Sequence, residues 1–332
     1  MSMLKVVVLK VGATFAFALM AALIKAAAPS YPVSEIVFFR SVFAMATLAA
    51  WLARRGEWPS ALKTTRPFGH VGRSLAGSGG MYGYFLSLAF LPLADATAVT
   101  FVSPLMIAPL AWLALGEAVG LARAAAVTAG FAGVLVMLSG QLGHGAGGAP
   151  SIGVAVALGG AVATAIAMIQ ISRLTQSEST GAIVFYFSAV IAVLSLALLI
   201  LAMVWPERAV LAELASSQRF VAPGALGFAG LAAIGLLGGC AQIMLTQCYR
   251  FADASVIAAF DYVAMIWAAA LGYLMFAEVP TARVLIGAAI VMTAGAALLA
   301  WEHADRRVAP FARRRSGVSA RSKPFDIPDA FE

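Results

Sequence analysis

Ten long apolar stretches, almost free of charge, dictate what this chain can fold into. They run at about 6–28, 34–53, 72–91, 96–116, 122–140, 151–172, 181–204, 224–249, 254–277 and 282–301. Most have the roughly 17–25 residues that a helix needs to cross a hydrocarbon core about 30 Å thick. Within lipid every backbone N–H and C=O must be satisfied inside the structure, so only helices and closed barrels can span it. Barrel strands are about 10 residues long and alternate in polarity, which these stretches do not. Composition extends the argument to the whole chain: 62% of its residues are hydrophobic and 11% are charged. A soluble domain is about 45–50% apolar and about 25% charged, and its surface could not hold this excess. A soluble enzyme, a disordered chain and a nucleic-acid binder with a folded basic face are all excluded.

The few charges set the topology. The formal net charge is +7, from 22 Lys and Arg against 15 Asp and Glu. With the N-terminus in the cytoplasm, ten spans place 17 basic residues inside and four outside (Lys25, Arg208, Arg219 and Arg283), with Arg40 within a span. That bias follows the positive-inside rule and brings both termini to the cytoplasm. Met1 to Ile24 has the outline of a signal peptide, but its apolar run is longer than a usual 7–15-residue core. It reads as a retained first helix. Cys240 and Cys248 lie too far apart along one helix to form a disulfide.

The halves resemble each other. Leu93-Ala94-Asp95-Ala96 matches Phe251-Ala252-Asp253-Ala254, and Leu115-Gly116-Glu117 matches Phe276-Ala277-Glu278. Five helices per half is an odd number, so the second half sits inverted relative to the first, as in many secondary transporters. The expected fold is an all-α membrane protein with ten transmembrane helices in two inverted five-helix repeats. The first repeat spans 1–140, an uncharged flexible linker 141–150, the second repeat 151–301, and a disordered basic cytoplasmic tail 302–332.

At these residues the chain resembles a known family. Arg73, Gly77, the run from Ala89 to Ala96, Ser103-Pro104 and Gly116-Glu117 are similar to the EamA-type repeat of the drug/metabolite transporter superfamily. Gln242, the run from Tyr249 to Ala254, Phe260-Asp261-Tyr262, Trp267 and Phe276-Ala277-Glu278 repeat that pattern. The resemblance covers about residues 5–301. It implies alternating access in a bacterial inner membrane, with substrates such as riboflavin, S-adenosylmethionine, amino acids or metallophore-like metabolites. The chain departs from the pattern where Ala259 and Phe260 replace a proline, and where Ala277 replaces a glycine.

Residues that break the apolar pattern are the candidates for function. Arg40 stands about seven residues into the second stretch, where burying a cation in lipid is costly. It reads either as an anchor for a substrate carboxylate or as a structural ion pair, with Glu35 or a helix end as partner. Asp261 is as deep in the ninth stretch. It reads as a substrate contact, a partner of Arg40 or a proton carrier on one side, and as a packing residue on the other. Tyr82, Phe85, Phe101, Tyr262 and Trp267 could stack on a planar or cationic solute, or serve as core and lipid-facing aromatics. The amide of Gln242 needs a partner, from a neighbouring helix or from a ligand. Pro104 and Pro109 interrupt the fourth helix and mark a kink or gate. Glu117 and Glu278 sit at helix ends as caps or gate partners.

The expected function is secondary active transport of a small metabolite across the cytoplasmic membrane, coupled to a proton or an exchanged solute. A broad-specificity drug or amine exporter is the alternative. A membrane scaffold or a lipid-modifying enzyme is the alternative of another class, although the loops hold no Asp, His or Lys cluster to carry such chemistry. The sequence holds no phosphate-binding Gly-Lys loop. No catalytic residue, metal or cofactor is expected, and no nucleic acid. The partners are the solute and the bilayer, for a monomer or a homodimer.

Overall fold

The computed structural model describes residues 3–103, 105–106, 110, 121–139, 152–204, 220–251, 263–294 and 297. Asp261, Tyr262, Pro104, Pro109 and Glu117 fall outside these, as do the linker at 141–150 and the tail at 302–332.

The described residues form ten α-helices and one short 3-10 turn, Ser60–Leu62. In chain order the helices are α1 (Met3–Ala27), α2 (Val33–Arg54), α3 (Pro67–Ser87), α4 (Leu93–Thr100) and α5 (Leu121–Leu138). They continue with α6 (Ile152–Leu174), α7 (Thr180–Val204), α8 (Ala225–Phe251), α9 (Val263–Phe276) and α10 (Ala282–Ala294). Five of them, α1, α2, α6, α7 and α8, are long and apolar enough to cross a membrane. The protein is thus an all-α membrane protein.

The third helix differs from its expected bounds. It begins at Pro67 instead of near 72, because proline suits the first turn, where its missing N–H has no helical acceptor to meet. It ends at Ser87 instead of near 91, because Pro92 disfavours helical backbone at Leu91. The early start draws His70 and Arg73 into the helix. His70 was expected before the helix, and Arg73, at the edge of the expected stretch, was counted among the cytoplasmic topology-setting charges.

Packing follows small residues. Between helices in lipid there is little hydrophobic drive, so close approach and dispersion decide which faces meet. Helix α3 lies along α6, and α8 lies between α1 and α2. A Cβ on Gly83 would stand 2.6 Å from the Gly160 Cα, so neither position tolerates a side chain. On α8, a Cβ on Gly239 would stand 2.9 Å from the Ala44 Cα of α2. Helix α7 packs on α2 and α3, and α9 packs on α1 and α4. The main buried cluster joins Ile36 and Val37 of α2, Phe85 of α3, Leu93 of α4, Ile191 of α7 and Ile234 of α8. Cys240 is exposed and Cys248 buried, and the two are not joined by a disulfide.

Candidate substrate site

Two arginines lie in the interior. Arg40 of α2 and Arg73 of α3 are each 2% exposed. Both face one ring: the Arg73 Cζ is 3.6 Å from the Phe187 centroid and the Arg40 Cζ is 5.7 Å from it. Phe187 belongs to α7, which packs on both arginine-bearing helices. The Nε and Nη1 atoms of both guanidiniums are buried, with no hydrogen-bond partner among the described residues. Glu35, the candidate structural partner of Arg40, is engaged elsewhere: its Oε2 accepts the Val221 N–H at 2.9 Å. A cation over an aromatic face gains about 2 kcal/mol when desolvated. Removing a charge from water costs several kcal/mol, so ring contacts alone leave both arginines undercompensated.

Further buried polar atoms stand on the same helices and on their neighbours α6 and α8. Ser41 follows Arg40, Ser188 follows Phe187, and both hydroxyls are buried with no partner. Gly238 of α8 lets Arg40 approach: a Cβ there would stand 3.0 Å from the Arg40 Nε. One turn further along α8, Gln242 is buried and its Nε2 has no partner. Gln170 of α6 lies beside Gly72, next to Arg73, and its Oε1 also lacks a partner. Polar side chains on α2, α3, α6, α7 and α8, buried and without partners among the described residues, thus stand inside an apolar bundle, and together they are called the polar seam. Buried polar atoms are normally satisfied, and each exception calls for an explanation such as strain, a bound water or ion, or a functional role.

One end of the bundle is tied by charge. Lys25, at the end of α1, pairs with the Glu278 Oε1 at 2.8 Å and donates to the Leu91 carbonyl at 2.7 Å. The Glu278 Oε2 accepts the Leu93 N–H at 2.9 Å, which places a carboxylate at the N-terminus of α4. Lys25 also stands 5.6 Å from the Phe276 ring centroid. Residues from α1, the α3–α4 turn and the connection after α9 therefore meet at one knot.

The remaining candidates spread out from the seam. The Tyr82 hydroxyl donates to the Ser195 Oγ of α7 at 2.9 Å. Phe85 and Phe101 lie in the main buried cluster. Trp267 of α9 packs edge-on against Phe15 at 5.1 Å, and its Nε1 is buried without a partner. Sequence reasoning missed the roles of Arg73, Phe187 and Lys25. Arg73 could have been found by noting that Pro67 starts a helix well. A phenylalanine in an apolar helix carries no such signal.

A second polar cluster sits where the α6–α7 connection meets the segment before α3. The Glu178 Oε1 accepts the Thr65 N–H at 3.0 Å and the Thr65 hydroxyl at 2.8 Å, and the His70 Nε2 is 3.4 Å from Oε2. Burial works against ionising Glu178, but these donors outweigh it and hold its carboxyl below the ordinary carboxylate value.

A helical membrane bundle with a buried polar seam and a charged knot at one end is built as a small-molecule transporter. Comparison with known proteins agrees. Residues 4–139 match the EamA-like transporter family. A pseudopaline exporter of Pseudomonas aeruginosa is 31% identical over 293 residues, covering 88% of this chain and 95% of that protein. An S-adenosylmethionine uptake transporter of Rickettsia prowazekii is 28% identical, covering 78% and 80%. A riboflavin transporter of Rhizobium johnstonii is also 28% identical, covering 80% of each. A solved crystal structure shares the fold, with a TM-score of 0.62 at 20% identity over 96% of this chain and all of that one. The chain belongs to the EamA-like transporters of the drug/metabolite transporter superfamily. It is a multi-pass transporter of the bacterial inner membrane, without enzymatic function.

Proposed function

We propose that the chain is a secondary active transporter that moves a small amphiphilic metabolite by alternating access between two inverted five-helix repeats. The carrying observation is the polar seam around Arg40, buried between helices of both halves. Ten transmembrane helices, cytoplasmic termini, repeats at 1–140 and 151–301 and a linker at 141–150 complete the reading. The helix pairings support the repeat. Exchanging each helix with the one five places along turns α3–α6 into α8–α1 and α3–α7 into α8–α2. All of these pairs are in contact. The α2–α7 pair maps onto itself, as elements astride a two-fold axis must.

Residues of both halves line the seam, so rocking one half against the other would expose it to each side in turn. The knot of Lys25 and Glu278 would close one side. Arg40 and Gln242 are the contacts we assign to the solute, with Tyr82, Phe85, Phe101, Tyr262 and Trp267 as its aromatic surround. Pro104, Pro109 and Glu117 are assigned with Glu278 to kinks and gates. Asp261 is assigned to coupling, by a proton or through an exchanged solute. The named relatives divide between export and uptake, so direction is left to assay. An amine exporter is disfavoured, because two guanidiniums without acid partners among the described residues repel a cation.

Proteoliposomes loaded with flavins, S-adenosylmethionine, amino acids or carboxylated metabolites test the reading. Counterflow of at least one labelled solute is expected, and Asp261→Asn is expected to alter its pH dependence. No flux across the panel overturns the transport reading. An unchanged pH profile removes Asp261 from coupling.

A further inference from the structure

We infer that Arg40 and Arg73 form one anion site that takes a solute with two negative charges, and that Phe187 holds the pair open between solutes. The inference deepens the transporter reading and rests on it for the solute's route, but the site itself stands on geometry.

Both guanidiniums face the same ring, at 5.7 Å and 3.6 Å from its centroid. Their like charges repel across a medium that screens poorly. A fold that needed only packing here could have used an apolar side chain of similar volume at lower cost. One carboxylate would neutralise one guanidinium and leave the other exposed to the same penalty. Two anionic groups on one solute, or one divalent group, neutralise both. Guanidinium is suited to this because its planar fork donates two parallel hydrogen bonds to a carboxylate or phosphate. Among the described residues the Nε and Nη1 of both arginines have no acceptor, which leaves one unengaged donor on each fork edge of each guanidinium. The Ser41 and Ser188 hydroxyls, next in sequence to Arg40 and Phe187, and the Gln242 Nε2 are buried donors that also have no partner among the described residues.

Phe187 explains how two like charges persist together in the empty protein. The Arg73 guanidinium lies 3.6 Å from the ring centroid, within cation–π range, and Gly77 of α3 leaves the room in which the ring sits. A ring can hold a cation without neutralising it or occupying its in-plane donors. In the proposed repeat, α2 and α7 correspond. Arg40 follows Val33 by seven residues, as Phe187 follows Thr180. The two halves thus place a cation and an aromatic ring at equivalent positions, so the site is asymmetric although its frame is symmetric.

The test uses the full chain purified in detergent at constant ionic strength. Glutarate, butyrate and inorganic phosphate are titrated and thermal unfolding is followed. Glutarate or phosphate should raise Tm saturably by several degrees, with butyrate at least about tenfold weaker. A response to glutarate alone identifies a dicarboxylate solute, and a response to phosphate alone a phosphoryl-bearing one. Arg73→Gln and Arg40→Gln should each make glutarate no better than butyrate. The empty Arg73→Gln protein should unfold no lower than the parent, because a like-charge repulsion has gone. If Arg73→Gln does not fold, Arg73→Lys keeps the charge without the fork and should give intermediate affinity. Equal responses to glutarate and butyrate in the parent with no response to phosphate overturn the site, as does undiminished binding in Arg73→Gln of whichever dianion the parent takes. Dianion binding without counterflow of any solute would overturn the transport reading and leave the site standing. Counterflow without dianion selectivity would do the reverse.

Discussion

Ala277 shows how much a single residue can carry. It follows α9 with φ at +55°, the left-handed region that L side chains rarely adopt. Its N–H bonds to the Tyr273 carbonyl at 3.0 Å, which closes the helix in the αL motif that usually has glycine at this place. The strain is kept because the next residue is Glu278, whose carboxylate must reach Lys25 and Leu93. Replacing Ala277 by glycine should relieve it and stabilise the protein by about 0.5–1 kcal/mol, read as a rise in Tm in detergent. An unchanged or lower Tm would show that the turn is unstrained. The sequence made this position visible as a departure from the glycine that Gly116 supplies in the first half. Arg40 was visible too, since a charge seven residues inside an apolar run has few cheap locations. Arg73 was hidden because the glycines at 77, 79, 80 and 83 blur the edge of the third stretch.

At the scale of the helix, close packing is decided by which glycines meet backbone. Gly83 and Gly159 both lie in the α3–α6 pair, but a Cβ on Gly83 would meet the Gly160 Cα at 2.6 Å, and one on Gly159 meets nothing within 4 Å. The two positions should therefore respond to alanine with opposite sign. Gly83→Ala must push α6 away and should cost about 1–3 kcal/mol. Gly159→Ala gains helix propensity in open space and should add about 0.5–1 kcal/mol. Thermal melts of the two variants decide between this account and one in which α3 and α6 are loosely packed. Such contacts are partly legible beforehand: the Gly79-x-x-x-Gly83 and Gly235-x-x-x-Gly239 spacings mark faces able to approach closely. Which helices meet was not legible. A lipid-facing surface is as apolar as a core, so the 3.6-residue polarity that orients a soluble helix is weak.

Across the whole molecule, the proposed cycle needs a closed end that can open, and the pairing of Lys25 with Glu278 is where the structure ties one end together. The ion pair is 2.8 Å long, with side chains 16% and 22% exposed, so solvent screens part of its attraction. The further bonds to Leu91 and Leu93 make it a network across α1, the α3–α4 turn and the residue after the α9 cap. Partly exposed pairs contribute up to about 1 kcal/mol, which is about a fivefold bias between closed and open states. Glu278→Gln keeps an oxygen for the Leu93 N–H but removes the charge, so it should loosen the knot without unfolding the helices that meet there. Spin labels at Ser30 and Val279, in a background with Cys240 and Cys248 replaced by alanine, should then show a distance distribution extended to longer values. Charge reversal at both positions, Lys25→Glu with Glu278→Lys, should draw that distribution back toward the parent's, and either reversal alone should broaden it most. The carboxylate also faces the positive N-terminal end of α4, so the swapped lysine recovers the ion pair but not the cap, and rescue should be incomplete. Full rescue would assign the closure to charge pairing alone. A distribution indifferent to all four variants would remove this knot from gating and leave closure of that end to the apolar contacts of α4 with α9.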